Sequence, residues 1–320
     1  MIKVKNLTKV YKTPERQNSF FQDLFFRKHK EKVALDNVSF AIGSDELVGF
    51  IGPNGAGKTT TLKILSGILY PTAGSVSVLG FNPFEKKPEF LRQIAFIMGQ
   101  RNQTLWELPA YDSFKLTKEI YEVNDADYKK ITHQLISLFG VEKLLNRPIK
   151  TLSLGERMKM ELINSLLYQP KIVFLDEPTI GLDIFSQEAI RNFITDYQKE
   201  FQATVILTSH YLEDVKRLAK RLIIINQGKI VYDGSLKKII ENYSKVKYIT
   251  VFLENEIEEE MIKKIGPPLV YRYPKIVWEV SKENLSEKIS QINNLIPYSD
   301  INIEEERIEE IIKKIYNQCD

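Results

Sequence analysis

The sequence predicts an α/β fold of two domains, the second smaller and α+β. Three observations carry that prediction. Apolar strands such as "LVGFIG", "KIVFLDEP" and "TVILTSH" suit a parallel sheet buried on both faces. A glycine-rich run, "GPNGAGKTT" at 52–60, stands between one such strand and a helical pattern. Beyond residue 245 the order of elements is β-α-β-β-α-β, the ferredoxin-like arrangement. A chain of 320 residues is also too long for one small core.

Taken in order, "MIKVKNLTKVYK" alternates like a strand, without the apolar core of a signal peptide. Phe20, Phe21, Leu24 and Phe25 then share one helical face, with Arg27, Lys28, Lys30 and Lys32 beyond. That insertion either packs on an antiparallel layer or forms a foot on a membrane or partner. "VALDNVSFAI" and "GSVSVLG" add alternating strands, followed by "IAFIMGQ". Residues 102–150 read as a helical insertion, for example "YDSFKLTKEIYEV" and "YKKITHQLISLFGVEKLL". "RLIIINQGKIVYDG" brings the first domain, 1–240, to its end.

The second domain, 245–320, opens with "VKYITVFLE". Ile257, Met261, Ile262 and Ile265 mark a helix face, and "LVYRYPKIVWEV" a hairpin turning at Pro274 and Lys275. Leu285, Ile289, Ile292 and Leu295 mark a second helix, "INI" a short strand, and Ile308, Ile311, Ile312 and Ile315 a last helix.

Composition narrows the class. The chain is 43% hydrophobic and 27% charged, with a net charge of only +3, which argues against nucleic acid as the partner. The single cysteine, Cys319, excludes an intrachain disulfide and fits a reducing cytoplasm. Its longest apolar runs, "LIII" (222–225) and "IVFL" (172–175), fall far short of the ~18 residues a spanning helix needs.

The glycine run satisfies G-x-x-x-x-G-K-[ST] in its strand–loop–helix context. Gly52, Pro53, Asn54, Gly55, Ala56 and Gly57 form a loop whose N–H groups turn toward phosphate oxygens, aided by the following helix dipole. Lys58 reaches the β- and γ-phosphates, the Thr59 hydroxyl ligates Mg²⁺, and Thr60 adds a hydroxyl near the α-phosphate. The loop is therefore expected to hold a nucleoside triphosphate. At the end of "KIVFLDEP", Asp176 is placed to reach Mg²⁺ and Glu177 to polarise the attacking water. His210, ending "TVILTSH", could bond the γ-phosphate and hold that water in line.

With these motifs in place the chain resembles the ATP-binding subunits of ABC transporters over residues 1 to about 240. The resemblance implies a P-loop NTPase with a mixed sheet, an antiparallel layer and the helical insertion. Tyr11 matches the residue that stacks on adenine, and Gln100 the glutamine that senses Mg²⁺ and water beside the membrane subunits. "LSLGE" (152–156) matches the signature, usually LSGGQ, with Leu154 and Glu156 departing from it. Ser153 and the Gly155 N–H are the groups expected to meet the γ-phosphate of a partner's ATP. A carboxylate at Glu156 would repel that phosphate mildly unless Arg157 or Lys159 offsets it. "IGLD" (180–183) matches the loop crossing the dimer interface, with Asp183 as its acid.

The resemblance further implies ATP and Mg²⁺ as cofactors, and an ATPase whose site closes between two subunits, a homodimer being the economical case. It implies permease subunits on separate chains and a peripheral position on the cytoplasmic side of the cell membrane. "GQRNQTLWELPAYDSFKLTKEIY" and the tail "INIEEERIEEIIKKIY" resemble the ABC-2 type, which usually serves exporters. A soluble ABC ATPase acting on ribosomes or nucleic acid is the alternative, and a nucleotide-gated regulator a third.

Overall fold

The computed structural model describes residues 1–14, 29–99, 103–209 and 212–317. The chain divides into two compact units, Met1–Gly234 and Ser235–Asp320.

The first unit holds two sheets. Strand β1 (Ile2–Pro14) pairs antiparallel with β2 (His29–Ile42) on one side and β4 (Ala73–Val78) on the other. The larger sheet has the order β5-β6-β7-β3-β8-β9, built from β3 (Leu47–Ile51), β5 (Ile94–Met98), β6 (Ile172–Asp176), β7 (Thr204–Thr208), β8 (Arg221–Asn226) and β9 (Lys229–Ser235). Its β5/β6, β6/β7, β3/β7 and β3/β8 pairs are parallel. β8 and β9 are joined by Gln227 and Gly228, both at positive φ, a two-residue turn that makes the last pair antiparallel. The sheet is therefore mixed.

Burial explains why the central strands are apolar throughout. Along β6, Val173 and Leu175 enter one core with Phe114, Ile131, Leu135 and Leu162, while Ile172 and Phe174 enter another with Leu7, Leu35, Phe40 and Leu62. Every residue of β7 is buried. Each large apolar side chain hidden this way contributes about 1.5–3 kcal/mol, so period-two alternation disappears where both faces are covered.

Motif residues also set where helices begin. The helix Asp125–Phe139 is capped by the Asn124 side chain and ended by Gly140 at φ 61. The helix Leu154–Leu166 starts on a capping box between Ser153 and Glu156, and the helix Ile184–Phe201 on the Asp183 carboxylate.

In the second unit, β10 (Val246–Leu253), β11 (Val270–Arg272), β12 (Lys275–Ser281) and β13 (Tyr298–Glu305) form an antiparallel sheet of order β11-β12-β10-β13. Helices Glu259–Ile265 and Leu285–Leu295 lie in the two β-α-β positions, and Ile262, Ile265 and Ile292 fill the core around Trp278. Helix Leu236–Tyr243 packs with helix Ile308–Asn317. Ile308, Ile311, Ile312 and Ile315 are all buried, as their spacing predicts.

Three details differ from the sequence reading. Arg272 pairs with Lys275, so the hairpin turns on Tyr273 and Pro274, one residue early. Met261 and Leu295 are exposed, and Ile296 takes the buried place beyond the second helix. The short "INI" strand extends to eight residues, because β13 pairs with β10 along most of its length.

Candidate functional site

The site is built on the loop between β3 and the helix Lys58–Leu65. Gly57 sits at φ 112, and a β-carbon there would stand 2.6 Å from the Ala34 carbonyl, so only glycine completes this turn. A cavity of 380 Å³ opens over the loop, lined by Tyr11, Lys32, Ala34, Asn54, Gly55, Gly57, Lys58, Thr59, Thr60 and Glu177. Gly52, Pro53 and Ala56 are not among its lining residues, and Lys58 Nζ donates to the Gly52 carbonyl at 2.7 Å and the Pro53 carbonyl at 3.1 Å. Burial pushes the Lys58 ammonium below the ordinary lysine value, opposed by the charges of Glu177 and Asp176. A buried cation held by loop carbonyls is well placed to turn to a stronger anionic partner.

Asp176 ends β6 beside this loop. Its Oδ1 accepts from the Thr59 hydroxyl at 3.0 Å and the Thr208 hydroxyl at 2.7 Å. Among the described residues no group of three or more His, Cys, Asp or Glu could cage a metal. One hydroxyl and one carboxylate are instead the sparse oxygen set that Mg²⁺ accepts when phosphates and water complete its shell. Tyr11 reaches the cavity from β1, its hydroxyl 3.4 Å from that of Thr60 and its ring under Lys9.

Glu177 has a φ of 55, a left-handed backbone unusual for glutamate. Its N–H donates to both the carbonyl and the hydroxyl of Thr208, each at 3.1 Å. Such conformations cost about 1–3 kcal/mol and persist where their surroundings over-determine them.

Ser153, Gly155, Glu156 and Asp183 do not line this cavity. They gather at a second place, where the start of the signature helix meets the start of the helix Ile184–Phe201. Ser153 N–H donates to Glu156 Oε2 at 2.8 Å, and Glu156 N–H to Ser153 Oγ at 3.2 Å. That backbone bond holds the Glu156 carboxyl below the usual range. Of the two cations that could offset this carboxylate, Arg157 lies with its guanidinium 5.0 Å from the Trp106 ring centre. Arg147 and then Lys159 add lesser charge effects in the same direction. Leu154 is exposed beside Gly181. Gln100 and His210 lie outside the described residues, as do Phe20, Phe21, Leu24 and Phe25.

A cavity of 400 Å³ at the opposite ends of the strands includes Asp45, Glu46 and Arg221. Arg221 is engaged there by Glu46 and Asp233, and no phosphate loop is near. Sequence reasoning missed Thr208, the clamp on Asp176 and Glu177, and Asp214, a wholly buried acid near the same strand ends. The hydroxyl pattern "LTS" before His210 was the only local signal for Thr208.

Residues 35–180 match the family model described as ABC transporter. The chain is 33% identical over 219 residues to the ABC transporter ATP-binding protein NatA of Bacillus subtilis, covering 68% of this chain and 87% of that protein. It is 34% identical over 207 residues to the doxorubicin resistance ATP-binding protein DrrA of Mycobacterium tuberculosis, covering 65% of this chain but only 62% of DrrA. A dimeric ABC transporter cassette, MJ0796, superposes with TM-score 0.61 at 25% identity over 74% of this chain and 99% of that one. No helix among the described residues is long and apolar enough to cross a membrane. A phosphate loop, a strand-end acid pair and a remote signature helix thus coincide with the family match: the chain belongs to the ATP-binding proteins of ABC transporters and is an ATPase.

Proposed function

We propose that this ATPase drives a separate membrane permease of the ABC-2 type, as an exporter, from the cytoplasmic face of the cell membrane. The observation that carries the reading is the separation of two half-sites. The cavity over the phosphate loop takes no residue from Ser153–Glu156 or Asp183, which present themselves elsewhere on the same unit. A second copy, bringing its signature helix to this cavity, completes the enclosure. Ser153 and the Gly155 N–H then face the partner's γ-phosphate at a helix N-terminus.

In this reading Tyr11 stacks on adenine, and the backbone from Gly52 to Gly57 with Thr60 cradles the phosphates. Lys58 leaves the Gly52 and Pro53 carbonyls for the β- and γ-phosphates. Thr59 and Asp176, with Gln100, hold Mg²⁺, which when bound neutralises phosphate charge. Glu177 takes a proton from the attacking water while His210 bonds the γ-phosphate. Hydrolysis removes the shared contact, the dimer parts, and that change of state is passed to the permease. Export is supported by relatives named for doxorubicin resistance and for bacitracin transport.

Size-exclusion of Glu177→Gln with ATP and magnesium tests the dimer, and copurification tests the permease. Turnover is expected to fall on the order of 10², with an ATP-bound dimer accumulating and a polytopic membrane protein recovered with it. A monomer at saturating ATP overturns the shared-site reading. Recovery of ribosomal RNA instead of a membrane protein overturns the transport reading.

A further inference from the structure

We propose that Asp214 is a positioning residue for hydrolysis, holding Glu177 in place through the hydroxyl of Thr179. The inference rests on reading Glu177 as the base.

Asp214 is wholly buried, in the helix Leu212–Leu218. Its carboxylate accepts from Arg191 Nε at 2.5 Å, Thr179 Oγ1 at 2.5 Å and Ser209 Oγ at 2.6 Å. Arg191 is steadied in turn by donating to Gln187 Oε1 at 2.9 Å. The donors come from different places. Thr179 lies two residues after Glu177, Ser209 directly follows β7, and Arg191 belongs to the helix after the Asp183 loop.

A buried ion pair is not needed for stability, since well-packed apolar residues of similar volume usually serve as well. What apolar packing cannot do is fix two hydroxyls from two loops at one point. Glu177 needs such fixing. Its left-handed backbone is held at the amide end by Thr208, while its carbonyl accepts from Ile180 N–H at 3.2 Å. That carbonyl lies where a β-carbon on Gly99 would be 2.1 Å away. Thr208 thus pins the near end of the turn, and Asp214, through Thr179, pins the far end.

The test is steady-state ATP hydrolysis by the full-length chain, with Thr179→Val as the mild variant and Thr179→Ser as its rescue. Thr179→Val is expected to lower kcat roughly 10- to 100-fold, as for a small misplacement of a reacting group. KM for ATP should stay at the wild-type value, the melting temperature should fall modestly because buried Asp214 loses one donor, and Thr179→Ser should restore both stability and turnover. In a Glu177→Gln background, Thr179→Val should cost nothing further, because both act through one group. Wild-type turnover in Thr179→Val, a fully additive loss in the double variant, or a loss that disappears at temperatures where the variant is fully folded overturns the positioning role. Undiminished turnover in Glu177→Gln alone overturns the base assignment and this role with it. A slow Glu177→Gln beside a normal Thr179→Val overturns the positioning role only.

Discussion

A β-carbon built on Gly155 would stand 2.2 Å from the hydroxyl of Ser186. That serine is held by the Asp183 cap of its helix, its N–H and hydroxyl both donating to the Asp183 carboxylate at 3.0 and 2.6 Å. The signature helix and the Asp183 loop are therefore packed without room for a methyl group. Gly155→Ala should destabilise the fold by about 1–3 kcal/mol, the usual cost of overpacking. It should also impair ATP-driven dimerisation while leaving nucleotide affinity of the monomer unchanged. Denaturant melts and fluorescent-nucleotide titration check both parts, and Ser186→Gly in the same chain should recover much of the loss.

Thr208 serves two neighbours with one hydroxyl, donating to Asp176 and accepting from the Glu177 N–H. Thr208→Val keeps the shape and removes both bonds. A stability loss of about 0.5–1.5 kcal/mol is expected, since the Thr208 carbonyl and the Thr59 hydroxyl still partner the two groups, with a higher magnesium requirement for hydrolysis. A magnesium titration of activity indistinguishable from wild type would contradict the clamp.

Tyr11→Ala should weaken ATP binding by about 1–3 kcal/mol, the range for one aromatic–base stack. Tyr11→Phe should bind as wild type, because the contact of its hydroxyl with Thr60 is long at 3.4 Å. Equilibrium titration with ATP separates the two variants.

Lys58→Met should lose ATP binding, yet fold at neutral pH at least as stably as the wild type. Burial lowers the folded pKa of this lysine below its ordinary 10.5. The cost of its buried charge is thus fully present below the folded value and relieved as pH rises toward the unfolded one. Thermal melts and nucleotide titrations of the same preparation check the opposed effects.

Glu161 lies buried on the signature helix, and its Oε1 accepts from Gln103 N–H, Thr104 N–H and the Thr104 hydroxyl at 2.8, 2.9 and 2.6 Å. Burial raises its pKa above the usual 4.5 despite those bonds. A raised carboxyl value means stability present at acid pH and lost as pH climbs from the unfolded value through the folded one. Wild type should therefore lose stability relative to Glu161→Gln as the pH is raised from about 4.5 into the neutral range. A difference in melting temperature that stays constant over that span would contradict the assignment.

Much of the candidate site was legible as a string, because phosphate binding depends on backbone conformation. Glycines at 52, 55 and 57, with Lys58 and Thr59, specify that conformation within a few residues. The buried strands were legible for a similar reason, since a strand covered on both faces has no polar period. Contacts such as Thr208 to Asp176, Gly155 to Ser186 and Thr179 to Asp214 join positions 32, 31 and 35 residues apart. Each is a small side chain whose type says little alone. The hairpin at Tyr273–Pro274 was misplaced by one residue because cross-strand register, not the proline, fixes the turn.

By itself the sequence determined the family, the nucleotide and the order of elements, all of which reside in short motifs and local periodicity. Tertiary structure alone decided that the signature stands apart from the cavity over the phosphate loop. It alone decided, too, that buried Asp214 gathers hydroxyls from two strand ends. Those outcomes follow from how helices and strands distant in sequence are brought within hydrogen-bonding range, and no local pattern encodes that distance.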